Sequence, residues 1–160
     1  MKKEKIIFYV ITVIIVLGVI LFAFFGHGKY LNSKSLVLNK NAVLSDIKYS
    51  KDKINLYIFW GDGCPHCEEE FSYLEDISKD YKDYVRIYGF EVWYNKENAE
   101  LLKTFSDAMG DEIKGVPYTI IGDKSYTGFD KNDVEDMIKQ IKDNHNNSFD
   151  IYKKIKNNEK

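Results

Sequence analysis

The chain reads as an α/β protein with a mixed central sheet of four to five strands flanked by helices, preceded by one N-terminal transmembrane helix. Three observations carry that reading. Apolar strand-like runs alternate with segments of helical period, two cysteines stand two residues apart where a strand gives way to a helix, and a stretch of 20 residues without charge precedes them all. Alternation of strands and helices along one domain is the pattern of sheets covered on their faces by helices.

The uncharged stretch, Ile6 to Phe25, spans about 30 Å as a helix, the thickness of a bilayer hydrocarbon core. Lys2, Lys3 and Lys5 precede it, which makes residues 1–5 the cytoplasmic side and sends the remainder of the chain out of the cytoplasm. A cleaved signal peptide shares the basic start and the apolar run. Against it, the run is long for a signal core, and Phe22, Phe24 and Phe25 stand where small residues are needed for cleavage. Both readings place the rest of the chain in an oxidising compartment. Gly26-His27-Gly28 breaks the helix, and residues 26–34 form a polar linker in which His27 is a linker residue rather than a ligand.

About 135 residues follow the anchor, enough for one globular domain. Aromatic residues make up 15% of the chain, so a packed core needs no covalent staples. The chain carries 23 basic and 25 acidic residues; with Lys2, Lys3, Lys5 and Glu4 set aside, the extracytoplasmic part stands at about −4. That balance gives no electrostatic reason to bind nucleic acid.

Along the domain, assigned to residues 35–143, Ser35 to Leu38 reads as an edge strand. Residues 41–50 carry Ala42, Val43, Leu44 and Ile47 at a spacing that suits a short helix. Ile54 to Trp60 is a nearly continuous β-prone run, the signature of a buried central strand. Gly61-Asp62-Gly63 turns the chain into a helix from Cys64 to Asp80, with Phe71, Leu74, Ile77 and Tyr81 as its apolar stripe. Val85 to Trp93 is the next strand, and residues 95–109 the next helix. Residues 118–121 and 125–129 form a hairpin turning at Gly122-Asp123, and Asp130 caps a last helix carrying Val134, Met137, Ile138 and Ile141. Residues 144–160 read as a polar, peripheral tail in which Phe149, Ile151, Tyr152 and Ile155 offer one or two further weak helical turns.

The chemistry concentrates in Trp60-Gly61-Asp62-Gly63-Cys64-Pro65-His66-Cys67. Two thiols at this spacing on a helix start close a small disulfide ring, and the helix dipole stabilises the first sulfur as a thiolate. Lowering that pKa makes Cys64 a ready nucleophile and a good leaving group, with Cys67 resolving the mixed disulfide. Pro65 suits the first turn, where its missing N–H loses no partner. His66 beside the thiolate stabilises the reduced form and so tilts the couple towards oxidising clients. A half zinc site is the poorer reading, because His27 and His145 lie at opposite ends of the chain. A purely structural disulfide is poorer too, since bridging near neighbours closes almost no loop. No metal and no cofactor is expected.

The strand ending in Phe59-Trp60, the Cys-Pro-His-Cys at a helix start and Gly115-Val116-Pro117 before a strand together resemble the thioredoxin superfamily, over about Ser35 to Asp143. The resemblance implies a thioredoxin-like fold and thiol–disulfide exchange with protein or peptide clients. It also implies that Pro117 is cis beside the disulfide and that the Val116 backbone meets the client. An isolated Val-Pro before a strand is in any case a place for a cis bond or a sharp bend. Trp60 is a packing and rim residue that joins this client-binding set, and Asp62 belongs to the turn. Cys-Pro-His-Cys with valine before the proline resembles the DsbA-like oxidases, but the short distance from Cys67 to Pro117 leaves no room for their inserted helical domain. Membrane-anchored bacterial forms of this kind imply a single-pass protein of the cell membrane, recycled by a membrane or extracytoplasmic redox partner.

In one respect the chain departs from the family. Where many members carry a buried acid six residues before the first cysteine, this sequence has Ile58. Glu91 on the next strand, or water, are the replacements the sequence offers; Glu68, Glu69 and Glu70 read as a solvated face complementing the helix N-terminus. Two other functions compete with the enzyme: a non-catalytic binding module of a peptide-export system, and metal handling by Cys64, His66 and Cys67.

Overall fold

The computed structural model describes residues 38–146 and 149–158. The Ile6–Phe25 segment, the residues before it and the 26–34 linker lie outside them. Among the described residues no helix is long and apolar enough to cross a membrane.

Sequence periodicity becomes architecture first at β2, Ile54–Trp60, in which all seven residues are buried. A strand apolar on both sides needs cover on both sides. It lies at the centre of a five-stranded sheet, parallel to β3 (Val85–Glu91) and antiparallel to β4 (Tyr118–Ile121). The short β1, Leu38–Asn39, extends the sheet beyond β3, and β5, Lys124–Thr127, beyond β4, for the order β1-β3-β2-β4-β5. Alternation along β2 sends Leu56, Ile58 and Trp60 into one core and Tyr57 and Phe59 into the other.

The first core holds both cysteines with Phe71, Leu74 and Ile77 from α1 (Pro65–Tyr81) and Met137 and Ile141 from α3 (Lys131–Asn144). The second is aromatic: Tyr57, Phe59, Tyr88 and Phe90 meet Leu102 and Phe105 of α2, Lys96–Met109. Helix boundaries follow local chemistry. Cys64, Asn95 and Asp130 cap α1, α2 and α3 with side chains that accept main-chain N–H groups, and Gly110 ends α2 at φ 82°.

Two sequence expectations change here. Residues 41–50 form no helix beyond a 3-10 turn at Leu44–Asp46, because the Asp46 carboxylate takes the Val43 N–H at 3.0 Å and the Asn39 amide at 3.1 Å and closes the turn on itself. The 144–160 tail is not peripheral. It contributes α4, Ile151–Asn158, whose Ile151 and Ile155 join the aromatic core. Asp150 anchors it. Its buried carboxylate accepts from Asn55 Nδ2 at 2.8 Å, from the Tyr57 hydroxyl at 2.9 Å and from the Lys153 N–H at 3.1 Å. Burial, with Asp150 next, holds the Tyr57 hydroxyl well above its usual pKa, so it stays a donor. Asp150→Ala leaves Asn55 and Tyr57 buried without this acceptor. It is expected to cost about 3 kcal/mol of stability, read as a lower urea midpoint at unchanged slope.

Candidate redox site

The parallel strands β2 and β3 end together, and the turn after β2 delivers Cys64 to the start of α1. Gly63, at φ 84°, makes the last step of that turn in a conformation open to glycine. The Cys64 N–H donates to Gly61 O at 3.0 Å. Cys64 and Cys67 are joined as a disulfide with Cα atoms 5.3 Å apart. Cys64 Sγ caps α1 by accepting the Cys67 N–H at 3.2 Å, so this sulfur faces the positive end of the helix. The two cysteines differ slightly in burial, Cys64 being 5% and Cys67 0% exposed. Pro65 occupies the first turn and His66 is exposed beside it.

The loop before β4 completes the setting. The Val116–Pro117 peptide is cis, and Val116 O lies 3.9 Å from Cys64 Sγ. Pro117 O accepts the Gly128 N–H at 2.8 Å, which ties the shelf to the end of β5. Cys64, Pro65, His66, Cys67, Val116 and Pro117 therefore converge at one end of the sheet.

Trp60 does not join this rim. It is buried in the first core, edge-on to Phe71 at 5.4 Å, with its Nε1–H donated to Lys40 O at 2.9 Å. As the last residue of β2 on the α1 side it has nowhere to go but inward. Asp62 is exposed in the turn.

The largest correction concerns the acids. Ile58 is paired across the sheet with Thr119, both facing α1. Thr119 Oγ1 donates to Glu70 Oε1 at 2.6 Å, and Glu70 is 0% exposed. The acid that the resemblance implies on the strand is thus absent at Ile58, but a carboxyl enters the same layer from the helix opposite, one turn after Cys67. Burial pushes its pKa up to about 8; the Thr119 hydroxyl opposes that and the charge of Asp133 adds to it. At neutral pH Glu70 is therefore largely a neutral acid, and its Oε2 has no hydrogen-bond partner among the described residues. Glu68 and Glu69 are exposed as expected. The signal for Glu70 was present in the periodicity: positions 67, 70, 71, 74 and 77 make one helical stripe, and all five are buried.

Glu91, the replacement the sequence offered, does a different task. Its carboxylate accepts the N–H groups of Asp62 at 3.4 Å, Trp93 at 2.8 Å, Tyr94 at 3.0 Å and Asn95 at 3.1 Å. Partial burial pushes its pKa up, but these four N–H groups outweigh that and leave it below the ordinary carboxylate value. Such a group is held as an anion. Among the described residues no three His, Cys, Asp or Glu side chains are gathered to hold a metal ion. A groove of about 870 Å³ between the 3-10 turn, α2 and α4, lined by Leu44, Leu101, Tyr152 and Ile155, contains none of the redox residues.

No protein-family model matches the chain. Over 93 residues it is 27% identical to the thiol-disulfide oxidoreductase ResA of Bacillus cereus, a match covering 52% of this chain and 53% of that protein. ResA of Bacillus anthracis matches with the same identity and coverage. The chain thus spans about half the length of the curated relatives it matches. Among solved structures, a thioredoxin-like protein from Clostridium perfringens superposes with a TM-score of 0.51 at 22% identity, covering 76% of this chain and 94% of that one. The fold of the described residues is thioredoxin-like.

Proposed function

We propose that this chain is a thiol–disulfide oxidoreductase, anchored in a bacterial cell membrane through residues 6–25, that exchanges disulfides with secreted or membrane proteins outside the cytoplasm, in the oxidising direction. The observation that carries the chemistry is the asymmetric disulfide, with Cys64 at the helix N-terminus beside the cis Val116–Pro117 shelf and Cys67 beneath it. The likeness to ResA supports the reaction class.

In that reaction a client thiolate attacks Cys64 Sγ, the sulfur of the less buried cysteine at the helix N-terminus, and the Cys64–Cys67 bond breaks. Cys67 leaves with the electron pair and takes a proton, for which Glu70, a neutral acid one turn further along the helix, is the built-in donor. A second client thiolate then attacks the client sulfur of the mixed disulfide. The client leaves oxidised, and Cys64 is released as a thiolate stabilised by the N-terminus of α1. Two electrons have passed from client to protein, and an extracytoplasmic or membrane redox partner removes them. Val116 offers its backbone to the client in this scheme, while Pro65 and His66 set the potential.

Direction rests on His66 and the stabilised thiolate. Equilibration of the chain in glutathione buffers is expected to return a potential nearer the ~−120 mV of strong oxidants than the ~−270 mV of thioredoxin. A value at the thioredoxin end sinks the oxidising direction and makes the protein a reductase or isomerase arm fed by a membrane electron donor. The topology has its own test: a reporter that is active only outside the cytoplasm, fused after residue 160, is expected to be active.

A further inference from the structure

Immediately after β3 the chain reads Glu91-Val92-Trp93-Tyr94-Asn95, and two of these five side chains present large aromatic surface to water. Trp93 is 54% and Tyr94 78% exposed. Exposed aromatics singly mean little, but this loop is held in place. One carboxylate, Glu91, binds three successive N–H groups of the loop and the Asp62 N–H of the redox turn, so it joins the two segments. The Val92 N–H adds a 2.8 Å bond to Trp60 O. The six-membered ring of the Trp93 indole lies directly over Gly61, in the space any Cβ at that position would occupy. Gly61 in turn accepts the Cys64 N–H. A rigid, exposed aromatic face is therefore continuous with the backbone that carries the attacked sulfur, while Trp60, the other tryptophan, is spent in the core.

We propose that Trp93, held on Gly61 by the Glu91 clamp, is the specificity-determining side chain on which an extended client polypeptide lays an apolar residue flanking its reacting cysteine. The proposal rests on the exchange reading above. An extended segment is the occupant because the surface runs from the Trp93 ring over Gly61 into the turn that carries Cys64, a single-ring contact along the backbone rather than a broad interface. Rigid aromatic rings that keep part of their face open are the anchors by which such contacts gain most affinity. Glu91 acts through Trp93 and is a positioning residue.

The test uses single turnovers of the oxidised full-length chain with two-cysteine peptides that differ only in carrying Phe or Ser beside the first cysteine, and with dithiothreitol, which has no flanking residue. Wild type is expected to favour the Phe peptide by about tenfold, through a lower half-saturating concentration rather than a higher limiting rate. Trp93→Ala is expected to erase that preference and Trp93→Phe to keep most of it, so the outcome does not hang on one variant's folding. Glu91→Ala should raise the half-saturating concentration for the Phe peptide, and Glu91→Gln, which retains an acceptor oxygen, should recover part of the loss. Tyr84→Ala removes another exposed aromatic, at the opposite end of β3, and should leave the preference intact. Equal handling of both peptides by wild type, or a preference that survives in Trp93→Ala, overturns the proposal alone. A disulfide inert even to dithiothreitol overturns the exchange reading and this proposal with it.

Discussion

Cys64→Ser is expected to bring disulfide exchange down to the uncatalysed rate, whereas Cys67→Ser is expected to stop turnover and trap a client on Cys64. The difference follows from access and from the helix. Cys64 is the less buried cysteine and its sulfur faces the N-terminal amides of α1, so it is where a client thiolate is expected to strike and where the thiolate product is stabilised. Cys67 is wholly buried, so it serves only to close the ring or to resolve a mixed disulfide. Non-reducing gel electrophoresis of each variant, reduced and then incubated with a disulfide-bonded client whose bond the Cys64 thiolate can attack, separates the two behaviours. Cys67→Ser should show a covalent adduct that thiol reagents release, and Cys64→Ser should show none. If Cys64→Ser cells keep the protein's function intact, the enzyme reading falls and the binding module of a peptide-export system takes its place.

Glu70→Gln is expected to change both the pH dependence of stability and the rate of exchange. The buried carboxyl titrates at about 8 in the folded chain against 4.5 when solvated. Between those values the folded state holds a proton that the unfolded state has lost, so stability falls as pH rises. The contribution is fully present below about 4.5 and is lost at up to about 1.4 kcal/mol per pH unit until the folded group ionises near 8. Glutamine has nothing to ionise. Urea titrations of the oxidised proteins at pH 5 and pH 8 should therefore show the wild type losing several kcal/mol more than the variant, on the order of the same shift. Parallel losses would mean that Glu70 is not the neutral acid its burial implies. In exchange assays near pH 7 the variant should be slower by roughly ten- to a hundredfold, at the low end for general acid catalysis because a thiolate is already a tolerable leaving group.

Much of the scaffold is legible in the residues alone. Ile54 to Trp60 announces a central strand because seven residues without a charge can only be covered on both faces. The helices over 96–109 and 131–144 are legible because Asn95 and Asp130 are side chains that cap, followed by apolar residues at helical intervals. Both tie the residue to its own neighbours in sequence. Apart from the 41–50 segment, which Asp46 closes into a turn on its near neighbours, the readings that failed are those in which the partner comes from far along the chain. Glu70 sits in a run of three glutamates, and charge alone argued for solvent; Thr119, 49 residues away, gives it a buried place. Trp60, expected to pack and to join the rim, does only the first because the end of β2 points its indole inward, and Trp93, read only as the end of a strand, lies over Gly61 beside the Glu91 clamp. The weak helical turns offered by Ile151, Tyr152 and Ile155 were legible, but their place was not, because it depends on the core at the far face of the sheet and on the hydrogen bonds Asn55 and Tyr57 give Asp150.

By itself, then, the sequence determined the order of strands and helices, the cysteine pair at a helix start and the single Val-Pro before a strand, all of which rest on spacing and capping within a few residues. Only the tertiary structure decided which carboxyl of the run after that pair is buried and which tryptophan is exposed over Gly61. Burial and exposure belong to surfaces brought together by the fold, and no residue carries them alone.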